Sequence, residues 1–529
     1  MDEMKTEIAC IRLGGTYVIP VTSPELAREF LKKQGTVFSS RPVCMSADLI
    51  SNGYQSSIFL PPGDKWTKMR KILQSHVLSP ATLHWLRDKR AEEADYLVKY
   101  IYTRCRMRGV NVRIVSRQYC GNVISKMAMF ALLQTLYGLG VSDHIPWMSV
   151  FDIDGYKRII KKGMSVMRKH LDTQVDTRVQ MWKDGIKTVE EDILDVLVML
   201  KDNAGKPLLS DTEIKTQVLE MMLATTDNPS NAVEWALAEM ISQPKLLEKA
   251  VKEIDSVVGK ERLVEESDLP NLNYVKACIK EGFRLHPVAP FNIPHVSLAD
   301  TAVGGYSIPK GSQVLLSRVG LGRNAKAWEE PLMFKPERHL NGGEVDLNDS
   351  ELNLLAFSTG RRGCPAVKLG SLMTTMLMAR LLQGFTWNLP PTLPCISLTE
   401  AKHDLFLENP LAFFLLCLCA ITNQNIDFLT SAFRLFVLVK DTGVGINPLD
   451  IPKIFSKFAQ NQSLAGGSGL GLAICKRYAL ISQFSSGYES EAAKQKGEKA
   501  LDSLIWQEFL ERINQSFEVE DEVVRGIGC

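Results

Sequence analysis

One stretch of this chain sets the scale of any fold it can adopt. From Asp211 to about Ser242, 32 residues carry helix signals from end to end. Ser210 and Glu213 have the capping-box spacing, in which each side chain satisfies a backbone N–H at the other's position. Leu219, Met222, Leu223, Val233, Ala236, Leu237 and Met240 are apolar on more than one side of the helix. At about 1.5 Å per residue the helix approaches a length of about 50 Å. A helix that long, apolar on several sides, crosses the centre of a large α-rich fold. Pro229 interrupts it halfway, and a proline that removes a donor and crowds the preceding turn predicts a kink. The residues before it include Thr226, Asp227 and Asn228. Polar groups inside an apolar helix are costly without partners or a task. The segment reads either as a functional polar cluster or as a solvent-exposed break between two helices.

The remaining chain is globular in composition. Of 529 residues, 45% are hydrophobic and 23% charged, which excludes disorder along the whole length. Sixty-two Lys and Arg against 60 Asp and Glu give a net charge of +2, with no electrostatic footprint for nucleic acid. Eleven cysteines, an odd number without framework spacing, suit a reduced, cytosol-facing setting. A β-hairpin is expected over 7–20, turning at Gly14-Gly15, then a helix capped by Ser23 with Pro24 at its first position. A further helix starts at Asp64, and the pattern stays mostly helical to about 290. Short strands return over 303–317, and a last long helix is expected from Pro365 to about Gly384. The longest apolar run, Leu411 to Ile421, has 11 residues, where a spanning helix needs roughly 20. It reads as a buried segment.

The most specific motif is Phe357-Ser358-Thr359-Gly360-Arg361-Arg362-Gly363-Cys364-Pro365. Gly360 permits a tight turn, and Gly363 allows close approach of backbone to a flat ligand. Pro365 suits the first position of a helix, which would put Cys364 at a helix N-terminus where a thiolate is stabilised. Arg362 can reach an anionic group from the same face.

With this loop the sequence resembles the cytochrome P-450 monooxygenases, a mainly α fold with small β-sheets. Other pieces of that pattern follow in order. Trp66 and Arg70, four apart on one helix face, match the residues that contact a haem propionate. Glu281 and Arg284 match the Glu-x-x-Arg pair, and Phe334-Lys335-Pro336-Glu337-Arg338 matches the arginine motif that completes the cluster. The resemblance implies haem b, with Cys364 as the iron ligand and Phe357, Arg362, Trp66, Arg70 and His295 around the cofactor. Electrons would come from NADPH through a separate cytochrome P-450 reductase. The family works at the cytosolic face of the endoplasmic reticulum membrane. This chain starts near the first hairpin without the family's anchor and Pro-rich hinge, so it can also be read as soluble.

A narrower likeness is to the plant amino acid N-monooxygenases, which convert an amino acid to its aldoxime in defence metabolism leading to glucosinolates and cyanogenic glucosides. It rests on Asp227-Asn228-Pro229-Ser230-Asn231-Ala232-Val233-Glu234-Trp235-Ala236, on the segment from Arg284 through His295 to Ser297, and on the cysteine loop, and covers about residues 6–410. His295 stands where most of the superfamily carries a propionate-binding Arg. Asn228 stands where the superfamily pattern has Thr beside the acid. It exchanges hydrogen bonds but cannot titrate. The resemblance implies that Thr226, Asp227 and Asn228 serve oxygen activation. It places Val288, Ala289 and Phe291 at the pocket above the haem, although ordinary loop packing explains them equally well.

Three features depart from that family. The anchor region is absent, the connection between Phe130 and Val141 is short, and the C-terminal strands are replaced after about Pro410. The replacement resembles the ATP-binding domain of histidine kinases, most closely that of plant ethylene receptors. Asp441-Thr442-Gly443-Val444-Gly445, Phe455-Ser456-Lys457-Phe458 and Gly467-Ser468-Gly469-Leu470-Gly471 follow its box order. Glycine loops of this kind cradle phosphates, with Asp441 on the adenine. The chain therefore divides into a shortened P-450 domain over 1–410, a junction over 411–436, a partial α/β ATPase fragment over 437–478 and an unassigned tail over 479–529. Two functional readings follow: a haem monooxygenase acting on an amino acid, or an inactive fusion with nucleotide-binding or signalling character.

Overall fold

A computed structural model describes residues 6–105, 110–124, 155–340, 342–348, 352–387, 395–401 and 405–413. The apolar run from residue 414, the short connection 125–154 and the ATPase-like segment lie outside the described residues.

The chain opens with the expected hairpin, β1 (Ile11–Leu13) and β2 (Thr16–Val21), paired in the register Ile11↔Val18. Val18, Ile19 and Val21 are buried. Helix α1 (Pro24–Arg28) follows, with Ser23 Oγ accepting from the Leu26 N–H. Next come α2 (Met45–Ile50), α3 (Asp64–Ile72), α4 (Pro80–Trp85), α5 (Arg87–Cys105), strand β3 (Val110–Asn111) and α6 (Val112–Ile124). After the undescribed connection run α7 (Tyr156–Lys183), α8 (Ile193–Met199), α9 (Asp211–Ser242), α10 (Pro244–Val257) and α11 (Asn273–Leu285). Four short strands, β4 (His295–Val296), β5 (Thr301–Val303), β6 (Tyr306–Ile308) and β7 (Gln313–Leu316), precede α12 (Arg318–Gly322) and α13 (Val367–Gly384). Strand β8 (Ala412–Phe413) closes the described part against β3.

Helix α9 is the axis of the fold. Its capping box is formed, Glu213 Oε2 taking the Ser210 N–H at 2.9 Å. It packs against α6, α7, α8, α10, α11 and α13, so it is covered on nearly every side. Trp235, Ala236, Leu237, Ala238 and Met240 are wholly buried. The helix is continuous through Pro229, and Thr226, Asp227 and Ser230 are buried. A solvent-exposed break is therefore excluded. The proline leaves the Thr225 carbonyl without its helical donor, and the neighbouring side chains turn back on the helix to compensate. Thr225 Oγ1 donates to Met221 O at 2.7 Å, Thr226 Oγ1 to Met222 O at 2.9 Å, Asn228 Nδ2 to Ala224 O at 2.8 Å and Ser230 Oγ to Thr226 O at 2.7 Å.

Helix α11 lies so close to α9 that a Cβ on Gly282 would sit 3.2 Å from Ala236 Cβ. It carries Glu281, whose two oxygens take Arg284 at 2.8 Å, Arg338 at 3.0 Å and His339 at 2.8 Å. Glu281 and Arg284 are fully buried, so this is an internal brace and not a surface pair. The sheet β1-β2-β7-β4 pairs β2 with β7 in parallel and sets His295 opposite Val314. Among the described residues no helix is long and apolar enough to cross a membrane.

Candidate active site

The cysteine loop is closed on itself. The Cys364 N–H donates to Phe357 O at 2.9 Å, and Gly363 N–H to Gly360 O at 3.1 Å. Gly360 adopts φ +71°, and a Cβ there would meet Leu31 O at 2.3 Å, so both conformation and space demand glycine. Phe357 packs edge-on against Phe283 with ring centroids 5.7 Å apart, and Gly370 of α13 leaves room for its ring.

Helix α13 begins at Val367 and not at Pro365, a correction to the sequence expectation. The closed loop holds Cys364 away from helical geometry, so the chain turns once more before the helix starts. Cys364 is partly buried. Burial pushes its thiol above the ordinary value, against the Ala366 N–H, Arg70 and Arg318, which favour the thiolate. The helix start alone does not make this group a thiolate. A coordinated metal cation would, since a ligating thiol loses its proton outright.

Three arginines converge beside the loop. Arg362 Nε donates to Ser39 O and Nη2 to Leu60 O, both at 2.6 Å. Arg70 of α3 donates to Gly363 O. Arg41, which sequence reasoning missed, donates from Nη1 to Ile293 O at 2.7 Å and Pro294 O at 2.9 Å. Burial, together with Arg362 and Arg70, brings Arg41 down to about 9. Among the described residues none of the three has a carboxylate at ion-pair distance. The run Ser39-Ser40-Arg41-Pro42 is a weak signal, and only the fold brings it to the site.

Trp66 lies under this group, its ring centroid 4.5 Å from the Arg362 guanidinium carbon. Trp66 Nε1 and Arg362 Nη1 are buried donors with no partner in the protein. Two orphaned donors amid three cations call for an anion that fits between them. His295 is deeply buried, its Nδ1 2.8 Å from Phe38 O, so Nδ1 must carry the proton. Nε2 then accepts, and Asn292 Nδ2 lies 3.4 Å away. Burial, with Arg41 and Arg362, lowers His295 to about 3, so it is a neutral acceptor here. Asn292 also reaches Ser358 Oγ at 2.9 Å, tying His295 to the cysteine loop.

The second group sits between α9 and α6. Asp227 pairs with Arg117 at 2.6 Å, and Glu234, two helical turns on, pairs with Arg113 at 2.6 Å. Arg113 and Arg117 lie against the Phe406 ring at 5.1 and 4.9 Å. Arg117 is a second residue the sequence reading missed. Its spacing from Arg113 puts both on one face of α6, a signal that needed the facing helix to be read. Val288 packs at the edge of the main core and Ala289 is buried, while Phe291 bridges to Ser317.

The comparison with known proteins identifies the family. Residues 2–416 match the family model for cytochrome P450. The chain belongs to the cytochrome P450 family. As a cytochrome P450 it is 50% identical over 444 residues to the phenylalanine N-monooxygenase of Arabidopsis thaliana, covering 78% of this chain and 84% of that one. It is 48% identical over 443 residues to the tyrosine N-monooxygenase of Sorghum bicolor, covering 78% and 79%. Among solved structures, a zebra fish cytochrome P450 with abiraterone aligns at a TM-score of 0.62 and 23% identity, covering 78% of this chain and 95% of that one. Residues 422–500 match the model for the histidine kinase-, DNA gyrase B- and HSP90-like ATPase, a longer span than the boxes at 437–478 suggested.

The family is a haem family, and the residues present fit the group. Cys364 offers the sulfur ligand, and the orphaned Trp66 Nε1 and Arg362 Nη1 suit a carboxylate of the macrocycle's rim.

Proposed function

We propose that this cytochrome P450 N-hydroxylates a free α-amino acid and delivers the aldoxime. The observation that carries the reading is the identity of about half of all aligned residues with amino acid N-monooxygenases, across more than three quarters of this chain. Those relatives act on different amino acids by name, so the reaction class transfers and the side-chain preference does not. Haem b held by Cys364 supplies activation of dioxygen, with electrons from NADPH through a separate reductase.

The chain's own residues have distinct tasks. Arg362, Arg70, Arg41 and Trp66 would hold the anionic rim of the cofactor, and His295 with Asn292 fixes the loop beside it. Phe357 packs against Phe283 and Gly370 and so braces the cysteine loop. Asp227, held by Arg117, keeps a carboxylate at the midpoint of α9 for proton transfer. Asn228 and Thr226 are anchored to helix carbonyls and present fixed dipoles next to it. Substrate nitrogen is oxidised twice, and carbon dioxide and water leave. The domain boundaries proposed are 1–410 for the haem domain and 437–478 for the core of the ATPase-like fragment.

The test is reconstitution with a plant reductase, NADPH and single amino acids, with product analysis for the aldoxime. Cys364→Ser removes the thiolate signature from the reduced, carbon-monoxide-treated spectrum. Retention of that signature assigns the ligand elsewhere, and oxidation only at carbon sinks the N-hydroxylation reading.

A further inference from the structure

A polar stripe runs along one face of α9. Glu213, Gln217, Glu220, Ala224, Asp227, Asn231 and Glu234 alternate at spacings of four and three, so all lie on one side of the helix. At its two ends the stripe is paired. Glu213 faces Lys68 at 3.3 Å, and Asp227 and Glu234 face Arg117 and Arg113. In between it is not. Gln217 is wholly buried with neither amide atom bonded, and Glu220, 8% exposed, has Oε2 without a partner. Its Oε1 accepts from Ser57 Oγ at 2.6 Å. The next position towards Asp227 is Ala224, a small side chain.

The segment facing Glu220 is the one that builds the cofactor cradle. Ser57 binds Glu220, and Leu60, three residues on, gives its carbonyl to Arg362. Arg70 of α3 is near enough to feel the Glu220 charge, yet among the described residues no cation stands at ion-pair distance from Glu220. The Ser56 and Ser57 hydroxyls and the Ser57 and Ile58 N–H groups lie beside this carboxylate, but they are neutral donors, and a buried charge met only by neutral donors stays costly. What this carboxylate lacks, on the helix that carries Asp227 and Asn228, is a matching cation, and a small cationic N–H donor has the chemistry to supply it.

We propose that Glu220 receives the α-ammonium group of the amino acid substrate and takes a proton from it. The inference deepens the reading of this enzyme as an amino acid N-monooxygenase and rests on it. The reason lies in the reaction. A protonated amine has no lone pair to oxidise, so one proton must leave before nitrogen reacts. The step balances: ammonium and carboxylate become neutral amine and carboxylic acid, with one proton moved and no electrons exchanged. Burial, opposed by the Ser57 and Ser56 hydroxyls and nearby backbone N–H groups, holds Glu220 up at about 7, within range to accept that proton.

The experiment is equilibrium dialysis of the haem-loaded protein with the labelled amino acid that the wild type turns over. The competitor is the same acid lacking the amino group. The wild type is expected to prefer the amino acid. Glu220→Gln is expected to weaken amino acid binding by about 10- to 100-fold, the effect of one charge-assisted hydrogen bond. Its binding of the deaminated acid should stay unchanged. Glu220→Leu removes the carboxylate without leaving a buried polar atom and should show the same loss should the Gln variant fail to assemble. Variants that load haem and discriminate like the wild type overturn the assignment of Glu220 alone. A wild type that binds no amino acid better than its deaminated analogue overturns both this assignment and the substrate reading.

Discussion

The guanidinium of Arg362 stacks 4.5 Å over the Trp66 ring, and each of the two side chains keeps one buried donor with no partner in the protein. Stacking fixes the direction in which both donors point, so the pair is organised before any anion arrives. The prearranged geometry lowers the ordering cost of binding.

Replacing Arg362 with Leu is therefore expected to weaken haem retention by about 10- to 100-fold, the loss of one charge-assisted hydrogen bond. It also strips donors from the Ser39 and Leu60 carbonyls, so the thermal midpoint should fall. Trp66→Phe keeps a ring under the guanidinium and removes only the Nε1 donor, at about 1 kcal/mol. Haem per polypeptide after gel filtration measures both. Equal retention in Arg362→Leu and wild type would remove Arg362 from the cofactor site.

The Glu281 brace sets an acid limit. Burial raises the Glu281 carboxyl, but bonds from His339, Arg284 and the Lys335 N–H outweigh it and bring the group down to about 2 from an ordinary 4.5. A folded-state value below the unfolded one means stability that is complete above about pH 4.5 and lost as pH falls towards about 2. Glu281→Gln leaves Arg284 buried with no anion and should destabilise the fold by about 3–5 kcal/mol at neutral pH. It should also flatten the acid limb of the denaturation profile. Urea melts at a series of pH values read both quantities. An unchanged acid limb would place the limiting carboxylate elsewhere.

Much of this was legible in the chain, for identifiable reasons. The capping box at Ser210, the Gly14-Gly15 hairpin and the Ser23 cap are local rules, and each formed as expected. The cysteine loop was readable because closing it demands glycine at fixed positions. What local rules could not give were the partners supplied across the fold. Arg41 reaches the site from 252 residues away along the chain, at the Ile293 carbonyl. Arg117 acquires meaning only against Asp227 of α9. The start of α13 at Val367 followed from the bond between Cys364 and Phe357, which no periodicity encodes.

The glycine boxes at 437–478 invite a nucleotide assay. Phosphate cradling needs backbone N–H groups held convergent by a packed scaffold, which the glycine boxes do not supply by themselves. Without such a scaffold, binding must order the loop, at roughly 1–2 kcal/mol per fixed residue. Calorimetry of the intact chain with Mg·ATP is expected to show no saturable binding. Micromolar binding that disappears in both Asp441→Ala and Gly469→Ala would make the fragment a working module.

The Asp227–Arg117 pair separates two roles that a single variant would confuse. Asp227→Asn removes both the charge that faces Arg117 and the proton carrier proposed for turnover. Arg117→Met removes only the partner. Stability of the two single variants and the double variant gives the coupling of the buried pair, expected above about 1 kcal/mol because one variant leaves the other's charge unmatched. Turnover then assigns the role. A proton-carrying Asp227 predicts that Asp227→Asn loses aldoxime per NADPH consumed with haem content intact, and that Arg117→Met, once folded, loses much less. Equal losses in the two single variants would make the pair a brace between α6 and α9, with the proton passing by another route.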